Sequence, residues 1–169
     1  MLALLVAAAL GAGAAPVGAA GAPRGEASKV HIDWGGGDVD YRYRERRAVM
    51  TGKPLVTMTR GDAVLTCKRL TAESDEAGKL SRATCEGDAR LTQGERVVTC
   101  ETAVYESASA QVTCTGNPLL KDGRSEASGE VLVYYLDEGR VTLTRGQGKL
   151  YEEPGKELPL SRPLGGGSP

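Results

Sequence analysis

A short segment in which two apolar residues alternate with residues that are mostly Thr, and which ends in Gly, recurs along the chain and constrains the fold more than any other feature. Its copies begin at Ala48, Ala83, Val112 and Val141. Regular spacings of this order are typical of stacked structural units. Within each copy the apolar residues alternate with positions that are mostly Thr, which is the period-two pattern of a β-strand with one buried face.

Two further columns of strand-like segments follow the same phase. One includes Leu65-Thr66-Cys67 and Val98-Thr99-Cys100, each shortly after a Gly-acidic turn, with a weaker third copy at Glu126-Ala127-Ser128. Helical periodicity is weak, and the strands recur too often to leave room for βαβ crossovers. The pattern therefore predicts an all-β protein built from repeated strand units.

The two ends of the chain differ from this body. Residues 1–22 are apolar and uncharged, which predicts a secretory signal peptide cut before Ala20. An uncleaved membrane anchor is the alternative. Residues 28–151 are predicted to form the folded domain. Residues 152–169 are rich in Gly, Pro and charge, which predicts a disordered C-terminal tail.

The composition excludes several function classes. Lys and Arg number 21 against 22 Asp and Glu, whereas a nucleic-acid-binding protein usually carries a basic excess. There is one histidine, His31, and no CxxC motif, so neither a metal site nor a cofactor is predicted. Gly35-Gly36-Gly37 lacks the strand–helix context of a phosphate loop, and no nucleophile elbow is present. We predict that the protein is not an enzyme.

The four cysteines belong to the repeat. Cys67 and Cys100 are equivalent positions, as are Cys85 and Cys114. Since an exported protein can form disulfides, and equivalent positions on adjacent units can lie close together, we predict the pairs Cys67–Cys100 and Cys85–Cys114. Four free, inward-facing thiols are the alternative.

An arginine-rich segment lies ahead of the first repeat copy. In Tyr41–Arg47, strand alternation places the tyrosines on one face and Arg42, Arg44 and Arg46 on the other. Guanidinium groups pair well with phosphates, so these three arginines are predicted phosphate contacts. A solvated strand face or turn is the alternative.

The order and phase of these segments resemble a known family. The resemblance lies in residues 48–52, 61–70, 94–105, 113–118 and 128–131. In these the chain resembles the OstA-like family and, within it, the LptA-type periplasmic lipopolysaccharide transport proteins. That resemblance implies an antiparallel, twisted β-jellyroll with open edges. It also implies a periplasmic protein that carries lipopolysaccharide between the inner and outer membranes and joins homologous domains end to end, with homo-oligomers expected.

The same resemblance implies that inward apolar side chains line a groove for lipid acyl chains. The predicted lipid-binding residues are Met50, Val56, Met58, Leu65, Leu70, Leu91, Val98, Tyr105, Val112, Leu120, Val131, Val133, Val141 and Leu143. Alternatively, these residues pack only against each other, as in any β-sandwich core. The matching alternative function is a non-catalytic envelope module that self-assembles through its edge strands.

Overall fold

The computed structural model describes residues 29–151, which form antiparallel β-strands joined by turns. No helix in this range is long and apolar enough to cross a membrane. The predicted signal peptide (residues 1–22) and the predicted disordered tail (residues 152–169) lie outside the described residues. The strands are β1 Val30–Asp33, β2 Asp38–Arg42, β3 Arg47–Arg60, β4 Ala63–Ser74, β5 Leu80–Gln93, β6 Arg96–Glu106, β7 Gln111–Thr115, β8 Leu119–Asp122, β9 Ser125–Ser128, β10 Val131–Tyr135, β11 Arg140–Thr144 and β12 Gln147–Lys149.

The four long strands, β3 to β6, are each interrupted near their middle. The register shifts between Thr51 and Val56 in β3, between Thr66 and Arg69 in β4, and after Glu86 in β5. These irregularities form one row across the structure, here called the fold line. A β-bulge bends a strand, so the long strands bend along this row. Each long strand thereby contributes its two halves to two different sheets.

The pairings define these two sheets. The first sheet runs in the order β2, β3, β4, β5, β6, β7, β10 and β11. The second sheet runs in the order β1, β3, β4, β5, β6, β8, β9 and β12. In residues 29–151 the two sheets are open, so β1 and β2 form edges at one end and β11 and β12 at the other.

Glycines occupy the hairpin turns that join β3 to β4 and β5 to β6 in the second sheet. Gly61 and Gly94 open two-residue turns and have φ angles of 59° and 58°. This left-handed backbone costs glycine little, and glycine at the first turn position matches the twist of paired strands. The Gly-acidic pairs of the repeat are therefore hairpin turns.

The inner faces of both sheets pack into a single hydrophobic core. Met50, Leu70 and Val112 come from the first sheet, and Val56 and Leu65 from the second; all five are at most 4% exposed. The shared core shows that the two sheets face each other across the fold line. The predicted all-β, antiparallel fold with open edges is confirmed.

The prediction of which β10 residues point inward was wrong. Val131 and Val133 alternate with the buried Leu132 and Tyr134, so the two valines lie on the outer face. Leu132 pairs with Cys114, an inward residue of β7. Because side chains alternate between faces, placing the pattern one residue out exchanges the two faces of a strand. The predicted inward residues of β10 were one residue out in this way.

The predicted disulfide pairing was also wrong. The structure joins Cys67 to Cys85, whose Cα atoms are 5.7 Å apart, and leaves Cys100 and Cys114 as buried free thiols. Repeat-equivalent cysteines lie two strands apart, on β4 and β6 or on β5 and β7. Two strand spacings come to about 9.5 Å, which exceeds the reach of a disulfide. The bond therefore links neighbouring strands.

Candidate functional site

The middle of the space between the sheets is filled. Tyr105 and Tyr134 are the largest fully buried side chains there. The predicted groove residues of this region are all buried in the same core: Met50, Val56, Met58, Leu65, Leu70, Leu91, Val98, Tyr105 and Val112. In this conformation they pack against each other.

Toward β11 and β12 the space between the sheets opens into a cleft of about 440 Å³. Its apolar lining comes from Leu120 of β8 and Ala127 of β9 in the second sheet, and from Val141 of β11 in the first. Leu120 and Val141 are partly buried and also pack against the core. Leu150, which is 60% exposed, completes this lining. The cleft is thus a continuation of the core toward solvent.

Charged side chains form the rim of the cleft. Arg96 donates from Nε to Asp122 Oδ2 at 3.0 Å and from a terminal nitrogen to the Gly139 carbonyl at 2.6 Å. The neighbouring Tyr134 hydroxyl and Asp122 raise the pKa of Arg96, so its guanidinium stays charged. Arg96 therefore ties the second sheet to the β10–β11 turn while lining the cleft.

A second arginine lies on the same rim. Arg140 donates to Glu138 at 2.8 Å, and its guanidinium lies 3.7 Å from the centre of the Tyr135 ring. Glu138 raises the pKa of Arg140. Because Tyr135 shares the outer face of β10 with Val131 and Val133, the ring and the carboxylate hold this exposed cation toward that outer face, beside the cleft.

The free ends of the two sheets are joined by side-chain contacts to the β10–β11 turn, here called the clasp: Arg60, Gln93 and Arg96 with residues 136–139. Arg60 makes two hydrogen bonds to Asp137, at 2.6 and 3.2 Å. Gln93 donates to the Leu136 carbonyl at 3.3 Å. These are polar side-chain contacts, partly buried at Gln93 and Arg96, unlike the covalent and ladder connections along the fold line.

An apolar lining beneath a charged rim suits an amphipathic ligand. Apolar chains gain free energy by leaving water, and guanidinium groups form strong hydrogen bonds with phosphates. Among residues 29–151, no group of three or more His, Cys, Asp or Glu side chains is placed to hold a metal ion.

The predicted site residues are divided by the structure into separate groups. Leu120 and Val141 line the cleft, and Leu143 is a partly buried neighbour on the inner face of β11. Val131 and Val133 lie on the outer face.

The arginine segment lies at the opposite end of the molecule from the cleft. Strand β2 ends at Arg42, and residues 43–46 form a turn, so the predicted alternation ends there. Arg42 contacts Asp40 at 3.4 Å and Glu45 at 3.5 Å, while Arg44 and Arg46 are exposed. The three arginines are therefore not brought together with the cleft.

The sequence reasoning missed the clasp, the charged rim and the inward residues of β10. One signal was available for β10. Leu70, Ala103 and Leu132 each lie nine residues after the hairpin glycine of their repeat, and all three are inward and fully buried. Counting from the turn glycines would have placed Leu132 correctly. The partners of Arg60 and Arg96 depend on a distant turn, and no local pattern marks them.

The edge opposite the cleft exposes apolar side chains. Val39 and Tyr41 of β2 are 50% and 45% exposed, and the ring of Tyr41 contacts Tyr43 edge to face. Strand β2 pairs only with β3 among the described residues, so its outer backbone groups are available to another strand.

Comparison with known proteins places these features in context. A family model described as "LptA/(LptD N-terminal domain) LPS transport protein" matches residues 36–148. No curated protein matches the chain. Among solved structures, the fold matches LptH from Pseudomonas aeruginosa, the LptA-homologous periplasmic component of a lipopolysaccharide transport device. The match has a TM-score of 0.62 at 18% identity and covers 83% of this chain and 94% of that one. The predicted jellyroll is confirmed.

Proposed function

The chain belongs to the LptA/LptD N-terminal domain family of lipopolysaccharide transport proteins, and from that premise we propose that it binds lipopolysaccharide and carries it through the periplasm as one unit of a bridge between the inner and outer membranes. The observation that carries the proposal is the cleft, where the apolar interior reaches solvent beneath a charged rim.

The energetics favour a lined route for such a lipid. Each methylene removed from water contributes about 0.8 kcal/mol, so a lipid with several acyl chains crosses water slowly on its own. Leu120, Val141 and Leu150 offer such a chain an apolar surface. Arg96 lies where a lipid phosphate would remain at the rim.

The proposal also requires the buried core in the middle of the molecule to open. Leu65, Val98 and Val112 are fully buried now, so acyl chains would reach them only after the two sheets separate. The clasp consists of a few polar side-chain contacts, which are fewer than the backbone hydrogen bonds of the strand ladders along the fold line. We propose that the sheets open at the clasp and remain joined at the fold line.

The proposal also states the compartment in which the protein works and the kind of process it carries out. A cleaved signal peptide in residues 1–22 would deliver the chain to the periplasm, the compartment of LptH. Lipid transfer of this kind forms and breaks no covalent bond, so the proposed role is non-enzymatic.

Homologous domains, including further copies of this chain, are the proposed partners at both ends. The edges β1 and β2 at one end and β11 and β12 at the other present unpaired backbone groups. Strand addition across such edges would make the two inner surfaces continuous. Size-exclusion chromatography with light scattering should show a concentration-dependent rise in mass. Val39→Lys on β2 should reduce it, whereas Ser107→Lys in the exposed β6–β7 turn should not.

Site-specific photo-crosslinking tests the carrier role. A photoreactive residue at Val141 should form adducts with purified lipopolysaccharide, and one at Val133 should not, because Val133 lies on the outer face of the adjacent strand. Both positions are partly buried valines on paired strands, so they form a matched comparison. Equal labelling at both positions, or none at Val141, would contradict the proposal.

The self-assembling envelope module is the second candidate. It is favoured by the exposed apolar residues on β2. Oligomers that form without lipid, together with no adduct at Leu120 or Val141, would support it over the carrier.

A further inference from the structure

The four cysteines occupy two copies of one local geometry. Cys67 of β4 and Cys85 of β5 are joined by a disulfide. Cys100 of β6 is the repeat equivalent of Cys67, and Cys114 of β7 is the repeat equivalent of Cys85. The second pair is held as free thiols, and both are buried.

The backbone around the two pairs has the same register. In the first copy the ladder is interrupted between the pairs Thr66↔Arg90 and Arg69↔Glu86. In the second copy it is interrupted between Thr99↔Leu119 and Thr102↔Thr115. Thr99 and Thr102 lie as far from Cys100 as Thr66 and Arg69 lie from Cys67. Leu119 and Thr115 likewise lie as far from Cys114 as Arg90 and Glu86 lie from Cys85. Both pairs therefore lie in the same irregularity of the fold line, one repeat apart.

The returning strands also share their backbone conformation. Gly87 and Asp88 have φ angles of 78° and 52°, and Gly116 and Asn117 have φ angles of 76° and 52°. A left-handed pair of this kind bends the strand at a defined point. Cys85 and Cys114 precede these bends by the same two residues.

The sulfur atoms occupy matching positions. Cys67 Sγ lies 3.2 Å from the Arg69 carbonyl oxygen, and Cys100 Sγ lies 3.3 Å from the Thr102 carbonyl oxygen. Cys100 and Cys114 lie on the paired strands β6 and β7, and each shifts the pKa of the other. Because the register and the backbone bends around Cys100 and Cys114 match those around the bonded pair, the same backbone can accommodate a disulfide one repeat later.

We propose that Cys100 and Cys114 form a second disulfide, the repeat equivalent of Cys67–Cys85, by exchange with an external disulfide. One protein thiolate attacks the external disulfide and releases a thiol. The other protein thiolate then attacks the mixed disulfide and releases a second thiol. Two protein thiols are oxidised to one S–S bond, and the external disulfide takes up the two electrons and two protons.

Local hydrogen bonds set the order of these steps. The Cys114 thiol and the Thr115 amide donate to the Cys100 sulfur and lower the pKa of Cys100. The bond to Cys100, together with burial, raises the pKa of Cys114. Since the thiolate is the nucleophile, and since Cys100 is also the more exposed sulfur-bearing residue, at 8% against 1% for Cys114, we expect Cys100 to attack first. Cys67 and Cys85 are also fully buried in the bonded state, so burial in the folded protein does not distinguish the two pairs.

The two bonds would have one structural consequence. Each joins neighbouring strands at the fold line, β4 to β5 and β6 to β7, and neither joins the clasp or the sheet ends. They would hold the bent strands in register while leaving the far ends of the sheets free to separate. The oxidising compartment comes from the proposed function, whereas the geometry does not depend on it.

Peptide mapping of the full chain tests the bond directly. The reduced chain is oxidised with excess oxidised glutathione, unfolded, alkylated and cut with trypsin and a Glu-specific protease. Peptide 97–101, which carries Cys100, should be found linked to peptide 107–121, which carries Cys114. In the same digest, peptides 61–68 and 83–86, which carry Cys67 and Cys85, serve as the internal control.

A Cys67→Ala/Cys85→Ala variant retains only the second pair and excludes exchange among the four cysteines. It should lose both free thiols on oxidation, and a Cys114→Ser substitution in that background should restore one. Alkylated peptides 97–101 and 107–121 beside a linked control pair would overturn the inference. Linkage of Cys100 to Cys67 or Cys85 would also overturn it. Lipopolysaccharide adducts at Val141 test the proposed function separately, since they do not require this bond.

Discussion

The middle of the molecule and its β11–β12 end are built from the same repeat but differ in packing. Between β3 and β7 most inward positions are buried, and a disulfide joins neighbouring strands. Toward β11 the equivalent positions, Val141 and Leu143, are only partly buried and an open cleft begins. Stability is therefore concentrated in the middle, and ligand access at the end.

The largest expected effect comes from paired leucines on either side of this boundary. Leu132 and Leu143 are directly opposite on β10 and β11, but only Leu132 is fully buried. Leu132→Ala should lower the free energy of unfolding by about 3 to 5 kcal/mol through lost burial and a cavity. Leu143→Ala should lower it by about 1 kcal/mol, since less area is lost. Urea unfolding measures both, and equal losses would remove the distinction between middle and end.

The disulfide in the middle should contribute a somewhat smaller amount. Cys67 and Cys85 are 18 residues apart, and closing a loop of that length stabilises by about 3 kcal/mol in the chain-entropy account. Cys67→Ala/Cys85→Ala should lose that stability in urea without reductant. With dithiothreitol present, most of the difference from the unsubstituted chain should vanish. A difference of the same size with dithiothreitol would assign the effect to packing of the sulfurs.

The clasp should contribute less to the free energy of global unfolding than the disulfide does. Its main effect should be on local opening of the strands beside the cleft. Arg96→Gln removes the charge-assisted bonds to Asp122 and Gly139 and should cost about 1 to 2 kcal/mol because the site is partly solvated. Hydrogen exchange should accelerate in β8 and β11 more than in β4 and β5. Arg145→Gln, which breaks the exposed contact to Glu130, is the matched control and should have almost no effect.

The smallest expected effect concerns the lining of the cleft. Val141→Ala removes two methyl groups from a partly buried position, which should weaken lipopolysaccharide binding by about 1 kcal/mol, or roughly fivefold. Val133→Ala on the outer face should leave the affinity unchanged. Binding to immobilised lipopolysaccharide measures both, and a loss at Val133 equal to that at Val141 would place the ligand elsewhere.

Much of the fold could be predicted from local pattern. Alternation placed Met50, Leu65 and Val98 inward because side chains on a strand change face at every residue. The same rule misplaced Val131 and Val133, because apolar residues occupy both faces of β10 and alternation alone cannot choose between them. The strand also failed to extend past Arg42, where a tight turn follows.

The candidate site was less predictable. Leu120 and Val141 were expected on the inner face, but their position at an opening depends on where the two sheets diverge. Arg96 and Asp122 lie 26 residues apart and meet because β6 pairs with β8. The cysteine pairing failed for a related reason. Equivalence in a repeat and adjacency in a sheet are different relations, and a two-strand repeat places equivalent residues two strands apart.

The amino-acid pattern alone specifies the strands, their turns, the all-β class and most of the inner face, because these follow from alternation and from glycines at turns over a few residues. Three-dimensional packing was needed to establish which strands are neighbours, which cysteines meet, and where the interior is filled or open. Those features depend on the bends at the fold line and on the clasp, which join residues far apart in the chain. A local pattern records the face of each side chain, whereas packing between the sheets decides what that face meets.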